Sequence, residues 1–134
     1  MKMGSRRKFL KSAAYFALLT TGIRVASAHA KLIRSEPKDA ARLNSSPKSI
    51  ELWFNELLDD EFNMIEVYRA KEVTQKDRKN LVAAKPKVDA KDRTHLSLDL
   101  PPLEPDSYAV EYRVLSRDGH TAPGRFNFTV LPKS

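Results

Sequence analysis

Few residues in this 134-residue chain are equipped for chemistry. It has no cysteine, which removes thiol nucleophiles, zinc–thiolate sites, disulfide scaffolds and a lipid-anchored cysteine. Three histidines remain: His29, His95 and His120. His120 closes the run Ser116-Arg117-Asp118-Gly119-His120. Asp-Gly is a turn signal, because glycine accepts positive φ. The bend can swing Asp118 and His120 to one side, where a carboxylate and an imidazole face one metal ion. Hydrolytic chemistry lacks its parts. There is no G-x-S-x-G elbow. With only four glycines, Gly4, Gly22, Gly119 and Gly124, no loop can cradle phosphate. Asp59-Asp60-Glu61 reads as solvated turn carboxylates rather than a glycosidase pair.

What His29 can do depends on the residues before it. Ser5-Arg6-Arg7-Lys8-Phe9-Leu10-Lys11 matches the twin-arginine export pattern at every position. The apolar stretch that follows, Ser12 to Ile23, is too short and too polar for the roughly 20 apolar residues of a membrane span. Ala26-Ser27-Ala28 then supplies a small-x-small cleavage site. The expected organisation is a signal peptide over 1–28 and one domain over 29–134. Cleavage after Ala28 makes His29 the new N-terminus. Its α-amine and imidazole can then hold one metal in a chelate ring. An α-amine has a reference pKa of about 7.7–8.0, so a metal displaces its proton at mild pH.

These donors need a scaffold. The formal charge of +7 suggests nucleic acid, but its distribution does not. Residues 1–28 carry six basic residues and no acidic one, leaving 18 basic against 17 acidic beyond Ala28. No nucleic-acid partner is expected. Past Ala28 the chain reads as strands. Ile50, Leu52 and Phe54 alternate with polar or amphipathic neighbours, as do Leu96, Leu98 and Leu100; Tyr108, Val110, Tyr112 and Val114; and Phe126, Phe128 and Val130. Phe62, Met64, Ile65, Val67 and Tyr68 form another apolar run. Six or seven short strands between turn signals predict an all-β antiparallel sandwich. Trp53 is expected in the core or at its edge. The charged stretch 71–93 is expected to be a solvated insertion and the most mobile part of the domain, although Thr74–Ala84 has some helix propensity.

The motifs together resemble the CopC family of copper-binding proteins. The resemblance rests on His29-Ala30-x-Leu32-x-x-Ser35-x-Pro37, on Pro47-x-x-Ile50-x-Leu52-x-Phe54, and on Leu100-x-x-Leu103 before Tyr108-x-Val110. It rests also on Ser116-x-Asp118-Gly119-His120 with Gly124-x-Phe126-x-Phe128-x-Val130. The family implies a periplasmic Greek-key, Ig-like sandwich of about seven strands that binds one Cu(II). Residue by residue, its ligands fall on His29 (amine and imidazole), Asp118 and His120. Copper(II) chemistry agrees, since this ion prefers nitrogen and oxygen donors in a tetragonal plane. Asp118 is either a weak fourth ligand or an acceptor that orients an imidazole or a water.

Two departures stand out. Some members hold Cu(I) in a methionine-rich segment. Here Met64 is the only methionine after Ala28, so no Cu(I) site is expected. The glycine often found after the first proline turn is replaced by Asp39-Ala40-Ala41, read as a small change of turn. His95 matches no family ligand and is expected to face solvent beside Ser97. The functional expectation is a monomeric, non-catalytic copper protein for sequestration, transport or resistance. It would pass copper to an inner-membrane copper transporter or a copper enzyme. The alternatives are a small histidine-brace copper oxygenase and a metal-free sandwich interaction module.

Overall fold

Period-two alternation sets which side of each strand is buried. The structure, a computed structural model, describes residues 29–134. It contains β1 (Leu32–Glu36), β2 (Ala41–Leu43), β3 (Ser49–Phe54), β4 (Met64–Arg69), β5 (Lys87–Val88), β6 (His95–Asp99), β7 (Asp106–Leu115) and β8 (Thr121–Val130). In β3, Ile50, Leu52 and Phe54 are buried while Ser49, Glu51 and Trp53 point outward. Leu96 and Leu98 do the same in β6. The strands form two four-stranded sheets, ordered β1-β3-β6-β5 and β2-β8-β7-β4. Their inner faces meet in one core, giving the expected Greek-key β-sandwich. One detail departs from expectation. The short β2 runs parallel to β8, so the second sheet is mixed rather than wholly antiparallel.

The long hairpin β7–β8 is the spine of the domain. Ten residues pair with ten, from Asp106↔Val130 to Leu115↔Thr121, which fixes the loop 116–120 at one end. At the other end Tyr108 is fully buried, and its hydroxyl donates to the Glu104 carbonyl at 2.5 Å. Such a bond lets a large ring enter the core without stranding its polar tip. Gly124 is dictated by close approach. A Cβ there would lie 2.0 Å from the hydroxyl oxygen of Tyr112, directly opposite in register.

Three expectations need correction. Trp53 is not core; it lies on the outer face of its sheet. The buried positions go to its neighbours Leu52 and Phe54 because strand alternation allows only one parity inward. Phe62 does not join a strand; β4 begins at Met64, and Phe62 is 78% exposed with φ of 63°. The stretch 71–93 is largely solvated, as expected, but it is tied to both sheets, with Lys87–Val88 pairing as β5 against β6. Leu81 N–H donates to the Val67 carbonyl at 2.8 Å, and Asn80 Oδ1 accepts from Val67 N–H at 3.1 Å. Val82 is buried. This segment covers the outer edge of β4, whose backbone groups would otherwise be open. Among the described residues only a 3-10 turn at Ala70–Glu72 is helical.

The Asp39-Ala40-Ala41 turn also differs from its reading. Ala40 adopts φ of 62°, the left-handed conformation that glycine prefers. Its N–H donates to the Asn127 carbonyl at 2.7 Å, and Asp39 Oδ1 accepts from Asn127 N–H at 3.1 Å. Alanine is therefore held in a glycine-like conformation by the parallel β2–β8 junction.

Candidate metal centre

The loop between β7 and β8 is closed by its own backbone. Ser116 N–H donates to the His120 carbonyl, and Gly119 N–H to the Ser116 carbonyl, each at 2.9 Å. Gly119 has φ of 90°, as the Asp-Gly turn requires. The loop is also tied to the segment after β3. Ser116 forms an isolated antiparallel bridge with Leu58, and Arg117 N–H donates to the Leu57 carbonyl at 3.0 Å.

Within this loop Asp118 turns back on His120. Asp118 Oδ1 accepts from the Ser116 hydroxyl in a short bond and from His120 N–H at 3.2 Å. It also lies 3.2 Å from His120 Nδ1. The Ser116 bond, then the backbone N–H and the imidazole, hold the Asp118 carboxyl well below the usual range, at about 2. Asp118 is thus anionic at any physiological pH. With Nδ1 facing this carboxylate, the outward nitrogen of His120 is Nε2. Both side chains are open to solvent, His120 being 57% exposed.

His29 reaches the same place from the other sheet. Ala30 is buried, and Lys31 is held at both backbone groups by Asn55. Lys31 N–H donates to Asn55 Oδ1 at 2.7 Å, and Asn55 N–H to the Lys31 carbonyl at 3.1 Å. This clamp directs His29 over the β7–β8 loop. The His29 and His120 rings meet edge to face, with centroids 5.6 Å apart and planes at 86°. Imidazoles sharing one ion through bonds of about 2 Å have centroids about 4–6 Å apart. The 5.6 Å separation of the two rings lies within that range.

The structure brings together His29, His120 and Asp118, with Asp118 against His120 rather than standing as a separate vertex. Among the described residues, no three or more His, Cys, Asp or Glu side chains gather as a metal cage. His95 belongs elsewhere. It stacks on Trp53 with centroids 4.3 Å apart and planes at 8°, while Arg34 lies 3.6 Å from the centre of the same indole. Its Nε2 is 2.6 Å from Glu51 Oε2. It sits on the outer face as expected, but only 19% of its side chain is exposed. Sequence reasoning missed two supporting residues. Ser116 was visible as the start of the loop motif; nothing in the sequence singles out Asn55.

Comparison with known proteins gives the following. A family model described as CopC domain matches residues 32–131. Protein YobA of Escherichia coli K12 is 30% identical over 131 residues, covering 96% of this chain and 99% of YobA. The copper transport protein CutJ of Bacillus subtilis is 28% identical over 111 residues, 77% of this chain; the match spans only 18% of CutJ. Among solved structures, CopC from Methylosinus trichosporium OB3b superposes with a TM-score of 0.70 at 31% identity, covering 79% of this chain and 97% of that one.

Proposed function

Because the chain belongs to the CopC family of copper resistance proteins, we propose that it carries one Cu(II) ion at the His29–His120 end of the sandwich. The carrying observation is the edge-to-face approach of these two rings at 5.6 Å. In this reading the signal is cleaved after Ala28 and His29 contributes its amine and imidazole. His120 contributes Nε2. Asp118 orients His120 through Oδ1 and a bound water fills the fourth position; the alternative is Asp118 itself as a weak fourth ligand. Three nitrogens and an oxygen suit the tetragonal preference of Cu(II). Copper is cargo here rather than the centre of a catalytic reaction. The protein sequesters the ion in the periplasm and passes it to an inner-membrane transporter or a copper enzyme. Met64, the single methionine of the domain, offers no partner thioether for a Cu(I) site.

The test compares protein beginning at His29 with protein carrying one extra alanine before it. The extension turns the amine into a peptide nitrogen and leaves the fold intact by circular dichroism. Loss of an orienting partner alone costs about 10–100-fold in metal affinity, so loss of a ligand should cost about 100-fold or more. Equal Cu(II) affinity in the two proteins would show that the amine is not a ligand.

A further inference from the structure

We propose that Ser116 is a positioning residue, whose hydroxyl locks Asp118 onto His120 Nδ1 and so presents Nε2 to the ion. The inference rests on the copper reading above and extends it by one residue. Ser116 is 1% exposed and, with Ser35, is one of two buried polar residues among those described. A buried hydroxyl is costly unless it is used. Besides the hydroxyl, the two backbone bonds of Ser116 and its bridge to Leu58 close the loop. The hydroxyl is spent on Asp118 Oδ1, with the His120 carbonyl 3.1 Å away as a second neighbour.

This contact decides what Asp118 can do. Asp118 stands at a loop tip with 39% of its side chain exposed. Without the serine, this carboxylate would be held only by the exposed His120. Three groups converge on one oxygen: the Ser116 hydroxyl, His120 N–H and His120 Nδ1. Of these, the serine is the only one fixed in the buried body of the protein. It supplies the charge-assisted bond that anchors the carboxylate. An acceptor held at Nδ1 keeps the proton on that nitrogen and the lone pair on Nε2. Ser116 thereby acts on the metal-binding atom at one remove, without touching it.

The experiment uses protein beginning at His29 and two readouts. In metal-free protein in alkaline solution, nitrogen-15 shifts report the tautomer of neutral His120. Wild type should show Nδ1–H, and Ser116→Ala should show a mixture with Nε2–H. By competition titration, Ser116→Ala should bind Cu(II) about 10-fold more weakly. The substitution removes one oxygen and leaves the backbone bonds of the turn, so the melting transition should remain cooperative. In an Asp118→Ala background, Ser116→Ala should cause no further loss of affinity. An unchanged tautomer in Ser116→Ala, or an equal loss with and without Asp118, would overturn the proposal. If wild type itself failed to bind Cu(II), the copper reading would fall, and the tautomer would still decide whether Ser116 positions His120.

Discussion

Gly124→Ala should destabilise the domain through one side chain, Tyr112. An added Cβ would lie 2.0 Å from the Tyr112 hydroxyl oxygen, 2.1 Å from its ζ carbon and 2.8 Å from a ring carbon. Ordinary contacts are about 3.5–4.0 Å, so the ring must retreat by about 1.5 Å. It has little room inward. Phe54 packs edge-on at 5.6 Å, and Ile65, its partner in β4, is buried. The ring therefore swings outward and gives up the aromatic pair, worth about 0.5–1.5 kcal/mol, with overpacking of about 1–3 kcal/mol as the alternative. Replacing glycine in a strand returns about 0.5–1 kcal/mol of backbone entropy. The net loss is up to about 1 kcal/mol if the ring swings out and up to about 2.5 kcal/mol if the core is overpacked, so Tm falls by at most about 15 °C for a domain of this size. Thermal unfolding by circular dichroism measures it. Burial also holds the Tyr112 phenol above its ordinary pKa, and an outward swing should bring it down in a spectrophotometric titration. In a Tyr112→Leu background the alanine should cost less than about 0.5 kcal/mol. A penalty that survives removal of the ring, or a Tyr112 phenol whose titration the alanine leaves unchanged, would refute the account.

Ala40→Gly should act in the opposite direction. It releases a left-handed alanine and should raise stability by about 0.5–1 kcal/mol, read as a higher urea midpoint. Glu111 accepts from Arg78 at 2.8 Å and from Arg125. The Arg78 bond lowers its pKa, partial burial opposes the shift, and Arg125 adds to the lowering. A depressed folded pKa means the stabilisation is complete above the unfolded value of about 4.3 and is lost as pH falls through the lower folded value. Glu111→Gln should remove about 1 kcal/mol near neutrality and flatten this part of the acid limb in urea midpoints measured from pH 6 to pH 3. His95→Ala should leave Cu(II) affinity within twofold of wild type, since His95 serves the outer-face stack, and should shift the emission of Trp53 to longer wavelength as the indole gains water.

The fold was legible where burial has a clear period. β3, β6, β7 and β8 follow their alternation almost residue for residue, and the β7–β8 pairing follows from two adjacent runs with a turn signal between them. Legibility failed where one side chain serves something other than the core. Trp53 carries the largest apolar surface in its strand, yet parity places it outside, where Arg34 and His95 cover its two faces. Residues 71–93 look unstructured because their side chains are charged, but their role as an edge cover is performed by backbone and by Asn80, which leave no hydropathy trace. Ala40 hides a glycine conformation that only its register against Asn127 enforces. In the candidate centre, the proximity of His29 to His120 and of Asp118 to His120 could be anticipated from the motifs, whereas the long-range Asn55 clamp on the residue after buried Ala30 could not.

The geometry also bears on when copper can enter. In the intact chain the nitrogen of His29 is joined to Ala28 as a peptide and has no basic lone pair. The side chains gathered at the site are then two imidazoles and a carboxylate that is already committed, through Oδ1, to Ser116 and His120. In the proposed site the missing donor comes from a residue already positioned by buried Ala30 and the Lys31–Asn55 clamp, so supplying it costs little additional ordering. Cleavage after Ala28 would thus convert a weak pair of imidazoles into a chelate without rearranging the sandwich. In the proposed reading the twin-arginine signal would lead a folded protein out of the cytoplasm, and the bond cut after Ala28 would be the one that blocks the amine. Export and copper loading would then be ordered by covalent chemistry: the fold first, the ligand created second, and the ion taken up only after cleavage.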